Sequence, residues 1–563
     1  MRRSIKYLIT LVASGAICFN ASAQNSGTYE LGKSVDILVN MMRTLNLFYV
    51  DDVTPEKIMN AAAEGMTKIL DPYTVYLSPE SMDEFEVMTT GKYGGVGSLI
   101  RLRGDYVEFS SPYENSPADR AGIRPGDVIL KIEGKDAKGM TTQQVSSLLK
   151  GDPGSTVKLT VGKFPTGEAM DMKITRERIA IPGIPYHAML NDSVGYISHA
   201  DFTEGCSTDL LKAYMELKEQ GMKRLIIDYR DNSGGLLQEA VKILSHFLPE
   251  GSEVVSTRSS KDYNENRSYK TKNAPTIPST PIAILVDGDS ASASEIVAGA
   301  LQDYDRAVII GERTFGKGLV QSTIPLGNNA YAKVTTAKYY LPSGRCVQAI
   351  EYGSHQGSGK VEMVPDSLIS EFTTKAGRKV YDGGGVMPDV VIPPSYISTF
   401  SVVVYAQGYI DDFINDYCKR HYEELEGKIV PTEYRFDDEA YGEFVEWMKG
   451  KEVAWENPAN HYWKEFAKAA ENESWKADIK AQMEQIEKTL AMDTEDYLWL
   501  YKKDIQEIIE NQMVARYCYS KGGVKHTIPG DEVIKQAVEL LSDEARYNHI
   551  LAEQDTQRKV ENK

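Results

Sequence analysis

The sequence predicts a multidomain α/β protein: an α/β core carrying an inserted small β domain, with a helical N-terminal segment and a helical C-terminal extension. Three observations lead there. Between residues 179 and 341, apolar strand-like runs alternate with helix-like stretches, the pattern of an α/β core. Ahead of it, residues 93–178 consist of short strands and glycine turns. Beyond it lie all five tryptophans, Trp447, Trp455, Trp463, Trp475 and Trp499. They fall in a stretch where Leu498, Tyr501, Ile505, Ile508 and Ile509 keep helical spacing. A chain of 563 residues at about 150 residues per domain suggests roughly three or four domains.

Residues 1–23 read as a removable leader. Arg2, Arg3 and Lys6 precede an apolar run over residues 7–19, and Ala21-Ser22-Ala23 offers small residues for cleavage. The run is short for a membrane span, and Ile17 stands where a lipoprotein signal ending at Cys18 needs a small residue. The mature protein is therefore expected to be exported, soluble, periplasmic or extracellular. Four cysteines follow the leader: Cys206, Cys346, Cys418 and Cys518. They are far apart and include no CxxC, so they form neither a zinc site nor a dense disulfide framework. The net charge of −18 argues against nucleic acid as a partner, because phosphate backbones require a basic face.

From Leu31 to Leu77 the apolar spacing is helical, with Val35, Leu38, Val39, Met42 and Leu45 on three- and four-residue steps, ending in the turn signal Asp71-Pro72-Tyr73. In the 93–178 block, residues 106–109 and 156–161 read as strands. The intervening Ser116 to Asp127 reads as a short helix, a glycine stop and a turn. In the core, residues 194–197, 225–228, 282–286 and 307–310 are apolar strand candidates. Helices are expected over 207–220, 236–248 and 291–304, with Gly221 ending the first.

The chemistry concentrates in Val286-Asp287-Gly288-Asp289-Ser290-Ala291-Ser292-Ala293-Ser294-Glu295, where an apolar strand turns into a helix. A serine at such a turn is exposed, and the helix N-terminus offers unpaired N–H groups and a positive dipole end to a developing oxyanion. Ser-rich turns also cap helices with no further role. A nucleophilic serine needs a base. None of the eight histidines stands in a local signature. Lys317, in Phe315-Gly316-Lys317-Gly318, is the other candidate, since Ser–Lys pairs are a variant of triad logic. If a strand includes this stretch, Lys317 and Gln321 share a face. Most lysines are simply solvated surface groups. A lysine base has to be neutral, and burial favours that by disfavouring the charged form.

Taken together, these segments resemble the carboxy-terminal processing (tail-specific) proteases. That family carries a Ser-Ala-Ser-Ala-Ser-Glu run, then Gln-Asp-Tyr, then Phe-Gly-Lys-Gly and a glutamine. This chain has them as Ser290 to Glu295, Gln302-Asp303-Tyr304, Phe315 to Gly318, and Gln321. The resemblance covers about Leu31 to Pro394. It implies a serine endopeptidase with Ser292 as nucleophile, Lys317 as base and Gln321 as assisting residue. Asp228 to Gly235 matches the family's Arg-x-Asn-x-Gly-Gly strand end. That match implies an oxyanion hole from the N–H of Ala293 with that of either Gly234 or Gly235. Asp303 matches a family position, with a structural role at the helix end expected. Residues 93–178 are similar to the family's PDZ domain. There the Tyr93 to Ser98 loop implies capture of a substrate's C-terminal carboxylate by Gly95, Val96 and Gly97, as an anion nest beside an added peptide strand.

The organisation implied is a signal peptide over 1–23, an N-terminal helical segment over 24–92 and a PDZ-like domain over 93–178. A protease core over 179–396 and a helical extension over 397–563 follow. Expected partners are protein or peptide substrates with free C-termini, with a homo-oligomer or an adaptor protein compatible. No cofactor and no metal are expected. Two other readings stay open on sequence. One is a non-catalytic PDZ scaffold on a degenerate core. The other is a Ser-His-Asp hydrolase using Ser290 in Gly288-Asp289-Ser290-Ala291-Ser292, an elbow that lacks its final glycine.

Overall fold

The computed structural model describes residues 29–261, 266–352, 362–364, 366–472 and 479–552. Residues 1–23, expected from sequence to be a leader, and the last eleven residues lie outside these. The chain divides into two compact units. One takes the residues up to Asp83 together with Leu319–Ala337 and Glu351–Met363; the other takes Glu84–Gly318, Lys338–Ile350 and everything from Val364 onward. No helix among the described residues is long and apolar enough to cross a membrane.

In the first unit the helical stretch read from sequence is two helices and a strand. One helix spans residues 29–48. The second, Pro55–Thr67, starts on Thr54, whose hydroxyl accepts the N–H of Lys57, with proline in the first turn. Asp71 then caps a turn by accepting the N–H groups of Tyr73 and Thr74. Strand Val75–Leu77 follows, antiparallel to residues 331–333.

In the second unit, residues 98–175 form a β domain with strand order Ser98–Arg103, Tyr106–Pro112, Val128–Ile132, Thr156–Lys163, Glu168–Thr175. Helix Thr142–Leu149, opened by a Thr141/Gln144 capping box, closes a core of Val107, Phe109, Ile129, Val145, Val157 and Val161. Ser98–Arg103 is an edge strand paired on one side only among the described residues. Entry and exit are antiparallel, Lys92–Gly95 against Glu177–Ala180.

The α/β core is a six-stranded sheet in sequential order: β1 (Tyr186–Met189), β2 (Val194–Ser198), β3 (Arg224–Asp228), β4 (Ile282–Val286), β5 (Val308–Gly311) and β6 (Val390–Val391). β1 is antiparallel to β2, and β2 through β6 are parallel. Helices α1 (Cys206–Glu219), α2 (Leu237–Phe247) and α3 (Ala293–Asp303) connect successive strands. Each crossover steps to the next neighbour in the same direction. Right-handed crossovers of that kind put all three helices on one face. A parallel sheet must be covered on both faces.

The C-terminal end of the chain supplies the second cover. Helix α4 (Lys502–Thr527), broken by a kink at Tyr519, leads to α5 (Glu532–Ser542) and α6 (Glu544–Ala552). Ile534, Ala537, Leu540, Leu541 and Tyr547 pack on Val194, Tyr196, Ile226, Ala283, Leu285, Val308 and Ile310 of the sheet. The Tyr547 hydroxyl donates to the Ile282 carbonyl at 3.1 Å and accepts the Ile282 N–H at 2.9 Å. The helical extension over 397–563 is thus not a separate appendage: its last two helices are a layer of the core.

Helices Thr399–Ala406, Tyr409–Arg420, Asp438–Met448 and Thr494–Leu500 gather with α4 around Phe400, Phe413, Phe436, Tyr441, Phe444 and Ile509, and Phe164 of the β domain joins them. Charged contacts ring that junction. Arg101 pairs with Glu108 and Asp411, each at 2.6 Å. Arg516 reaches the same Asp411 at 2.7 Å and lies over the Phe164 ring. Arg103 pairs with Asp412 and Arg124 with Glu426. Cys206, Cys346, Cys418 and Cys518 are free thiols.

Candidate active site

The β4–α3 turn presents three serines in different states. Ser290 is fully buried; its hydroxyl donates to the Tyr229 carbonyl at 2.8 Å and accepts the Asp287 N–H at 2.9 Å. Ser294 is buried and donates to the Asn232 carbonyl at 2.9 Å. Both are committed to tying the turn to the segment after β3. Ser292 is half-exposed and holds φ +55° and ψ −110°, a left-handed region that L-residues avoid and that clusters at functional sites. The helix begins one residue later, at Ala293, rather than at Ala291 as the spacing suggests. Residues 290–292 are taken up by the turn. The elbow reading through Ser290 is disfavoured by that burial. Among the described residues no histidine bonds to Ser292. His199, stacked on Phe202 and pushed down to about 3 by burial, is a neutral structural ring.

The segment Tyr229 to Gly235 lies against this turn. Asn232 is fully buried: Nδ2 donates to the His199 carbonyl at 2.6 Å, and Oδ1 accepts the N–H of Gly234 at 2.9 Å. Its carbonyl accepts the N–H of Ala291. Gly234 holds φ +101°, and a Cβ there would meet the Ala291 carbonyl oxygen, the Ala293 nitrogen and the Ser292 Cβ within 2.8 Å. Glycine is required for that approach. Gly235 forms a parallel bridge with Phe202 in which Gly234 O and Leu236 N do the bonding. The Gly235 N–H therefore points away from Phe202. Among the described residues nothing accepts the N–H of Gly235 or of Ala293. The two glycines that sequence leaves equivalent are thus different: one N–H is engaged and the other is available.

Lys317 is brought to the same place through Glu295. This carboxylate is fully buried. Its Oε1 accepts from the Thr314 hydroxyl at 2.6 Å and the Gly316 N–H at 2.8 Å. Its Oε2 accepts the N–H of Ser292 and the N–H of Lys317, both at 2.9 Å. The backbone nitrogens of Ser292 and Lys317 therefore share one acceptor oxygen and are less than two hydrogen-bond lengths apart. Burial pushes the Glu295 carboxyl above its usual range, against the pull of those four bonds. The Gly316 carbonyl is fixed by Ala349, and Gly318 by the Gln348 side chain. Tyr339 donates to the Ser292 carbonyl at 3.2 Å. Sequence reasoning named Glu295 only as part of a motif. Its place three residues into α3, as in a capping box, is the signal that would have pointed to a bonding role.

Gln321 is on strand Leu319–Gly327, in the first unit, where its amide donates to the Thr335 hydroxyl at 3.2 Å. Because the strand starts at Leu319, Lys317 precedes it in a glycine loop, and the strand alternation does not extend to the lysine. Asp303 ends α3 buried against Arg345 at 2.9 Å and accepts the Ser343 N–H, a structural position. In the β domain, Gly97 holds φ +80°, and a Cβ there would meet the Ser116 Cβ at 2.5 Å. The carbonyls of Val96 and Gly97 accept from Ala118 and Tyr113. Among the described residues their N–H groups donate to nothing. Gly95 pairs with Glu177.

Comparison with known proteins gives three family matches. "Peptidase family S41" matches residues 193–355 and "PDZ domain" residues 108–162. "Probable PDZ-protease, C-terminal helical domain" matches residues 400–541. The chain is 37% identical over 306 residues to a carboxy-terminal-processing protease of Bartonella bacilliformis, covering 54% of this chain and 70% of that one. To a "Probable CtpA-like serine protease" of Staphylococcus aureus it is 35% identical over 344 residues, covering 60% and 68%. A solved photosystem II D1 C-terminal processing protease is 26% identical, with a TM-score of 0.35 and coverage of 64% and 87%.

Glu295→Gln tests the buried carboxylate. The amide NH2 that replaces one oxygen must face N–H donors, and each buried group left unsatisfied costs about 1–3 kcal/mol. Thermal unfolding of the variant is expected several degrees below wild type, whereas Glu295→Asp, which keeps the charge on a shorter arm, falls less.

Proposed function

The chain belongs to the carboxy-terminal processing proteases of peptidase family S41, serine-type enzymes, and on that premise we propose that it cleaves proteins with a Ser292–Lys317 dyad and selects them by their free C-termini. The observation that carries the proposal is the shared Glu295 oxygen, which holds the backbones of Ser292 and Lys317 together beside two unused N–H groups.

In this reading the neutral Lys317 amine takes the proton of the Ser292 hydroxyl as the oxygen attacks the scissile carbonyl. The negative charge that develops on the carbonyl oxygen is received by the N–H groups of Gly235 and Ala293, with the α3 N-terminus adding a favourable field. The lysine ammonium then gives its proton to the departing amine, leaving an acyl group on Ser292. Water, deprotonated by Lys317, releases the acid and restores both groups. Gly234 serves by close approach, its own N–H being held by Asn232. Gln321 is proposed to orient the lysine amine.

The β domain supports tail selection. A substrate's last residues add along the open edge of Ser98–Arg103, and their carboxylate takes the N–H groups of Val96 and Gly97, next to Gly95. Main-chain pairing of this kind recognises an extended end with loose side-chain preference. The leader pattern over residues 1–23 supports export. N-terminal sequencing of the mature protein is expected to begin at or near Gln24, and recovery of intact Met1 from a cytoplasmic fraction would count against it.

Ser292→Ala is expected to abolish cleavage without changing the melting temperature, while Ser290→Ala, which removes two buried bonds, lowers stability. A peptidyl phosphonate should label wild type and not Ser292→Ala, which excludes a non-catalytic scaffold. Lys317→Arg should lose about 10²–10⁴-fold in kcat, the usual contribution of a general base, because guanidinium does not deprotonate in this range. Wild-type activity should rise with pH on its acid limb, since only the deprotonated amine accepts a proton. Retained cleavage by Lys317→Arg would remove the dyad.

Tail selection has its own test. Hydrogen bonds to a charged group contribute about 1.5–3 kcal/mol, so amidating a substrate's C-terminus should weaken binding roughly tenfold or more. Equal binding of free and amidated peptides to the Ser292→Ala protein would leave an endopeptidase without tail recognition.

A further inference from the structure

The segment that offers the Gly235 N–H is tethered residue by residue. The Tyr229 carbonyl accepts from Ser290, and the Asp231 N–H donates to Asp287 at 3.0 Å. Asn232 bonds in three directions. These partners belong to the core. Arg230 is held differently. Its Nε and Nη2 bond the Asp228 carboxylate, Nη2 to Oδ2 at 2.6 Å, and the same Nη2 pairs with Asp531 Oδ2 at 2.8 Å. Asp228 is in turn fixed by the Tyr196 hydroxyl at 2.8 Å. Arg230 is four-fifths buried, with 21% of its side chain exposed. Two carboxylates balance one guanidinium, and the second comes from the helical extension.

Asp531 stands at the join between α4 and α5. Its Oδ1 accepts the N–H of Ile534 at 3.0 Å as the N-cap of α5, and its Oδ2 is the atom that reaches Arg230. The two oxygens therefore perform two separable tasks, one structural and one directed at the core.

We propose that Asp531 is a positioning residue for the reaction: it fixes Arg230, and through it the Tyr229–Gly235 segment that aims the Gly235 N–H at the oxyanion. This rests on the reading of Gly235 as an oxyanion donor. It gives the helical extension a part in catalysis. With Asp531 neutral, Arg230 keeps one carboxylate instead of two and can settle differently on Asp228. The backbone from residue 230 then carries that change toward Gly235. Ground-state binding through the tail site proposed on the β domain does not involve this segment.

The test separates the two oxygens' tasks. Asp531→Asn keeps a good N-cap but places an NH2 against Arg230. Asp531→Glu keeps the charge and is a poorer cap. If the charge on Arg230 matters, Asp531→Asn loses on the order of 10- to 100-fold in kcat, the scale of a displaced or weakened transition-state contact. KM and melting temperature stay at the wild-type values. The affinity for a peptidyl aldehyde, which forms a tetrahedral adduct on Ser292, falls in parallel, and Asp531→Glu recovers most of the rate. Wild-type kcat in Asp531→Asn overturns the proposal, as does a rate that follows the cap, with Asp531→Glu the worse variant, or a rate loss matched by a loss of melting temperature. If wild type itself forms no aldehyde adduct, the oxyanion reading fails. An adduct equally tight in wild type and Asp531→Asn leaves that reading standing and removes only the role of Asp531.

Discussion

The constraint on which the rest depends is the one-way winding of the core sheet. Strands β2 to β6 follow each other in order, and each right-handed crossover leaves its helix on the same side. That arrangement buries one face and exposes Val194, Ile226, Ala283, Leu285, Val308 and Ile310 on the other. A parallel sheet with a bare apolar face does not persist in water. The chain covers it with α5 and α6, the last described helices. The helical extension is consequently part of the folding unit of the core, and its attachment brings Asp531 to Arg230, just past the end of β3.

At the site itself one buried carboxylate organises two loops. Glu295 accepts four bonds, from Ser292, Thr314, Gly316 and Lys317. An ionised carboxylate has enough lone pairs for this; no neutral side chain does. Burying it is unfavourable, as its raised pKa reflects, and the four bonds offset only part of that. The gain is geometric. The Ser292 backbone is held in a conformation that L-residues avoid, and the lysine loop is fixed against it. The same logic explains why Ser290 and Ser294 are buried: their hydroxyls pin the turn to Tyr229 and Asn232, leaving the serine between them half-exposed.

Much of this was legible in the sequence. The core strands were readable from short β-branched runs, because buried parallel strands need no polar alternation. The glycine and small-residue runs around Ser292 and Lys317 marked close backbone approach, and the family resemblance is what singled out these two residues as the proposed dyad. The cover by α5 and α6 was not. Their apolar stripe has helical spacing like that of any surface helix, and spacing carries no record of the distant surface it meets. The choice between Gly234 and Gly235 was likewise closed to sequence, because it depends on which N–H Asn232 takes. The Arg230–Asp531 pair joins residues far apart in the chain, and each alone reads as an ordinary surface charge.

The β domain is oriented by contacts of a different kind from those in the core. Its two chain connections, Lys92–Gly95 and Glu177–Ala180, form a narrow antiparallel pair that leaves rotation about the pair to be fixed elsewhere. The junction with the helical extension fixes it with charge. Glu108 is fully buried between Arg101 and Arg103, and Asp411 is shared by Arg101 and Arg516. Ion pairs of this sort contribute modestly to stability once desolvation is counted, but wrong pairings are heavily disfavoured, so they specify one arrangement. Arg101 and Arg103 lie on the edge strand Ser98–Arg103, the strand along which a peptide would add. The strand proposed to receive a substrate tail is therefore the strand that registers the helical extension, and the extension in turn is bonded to the core through Arg230 and Ile282.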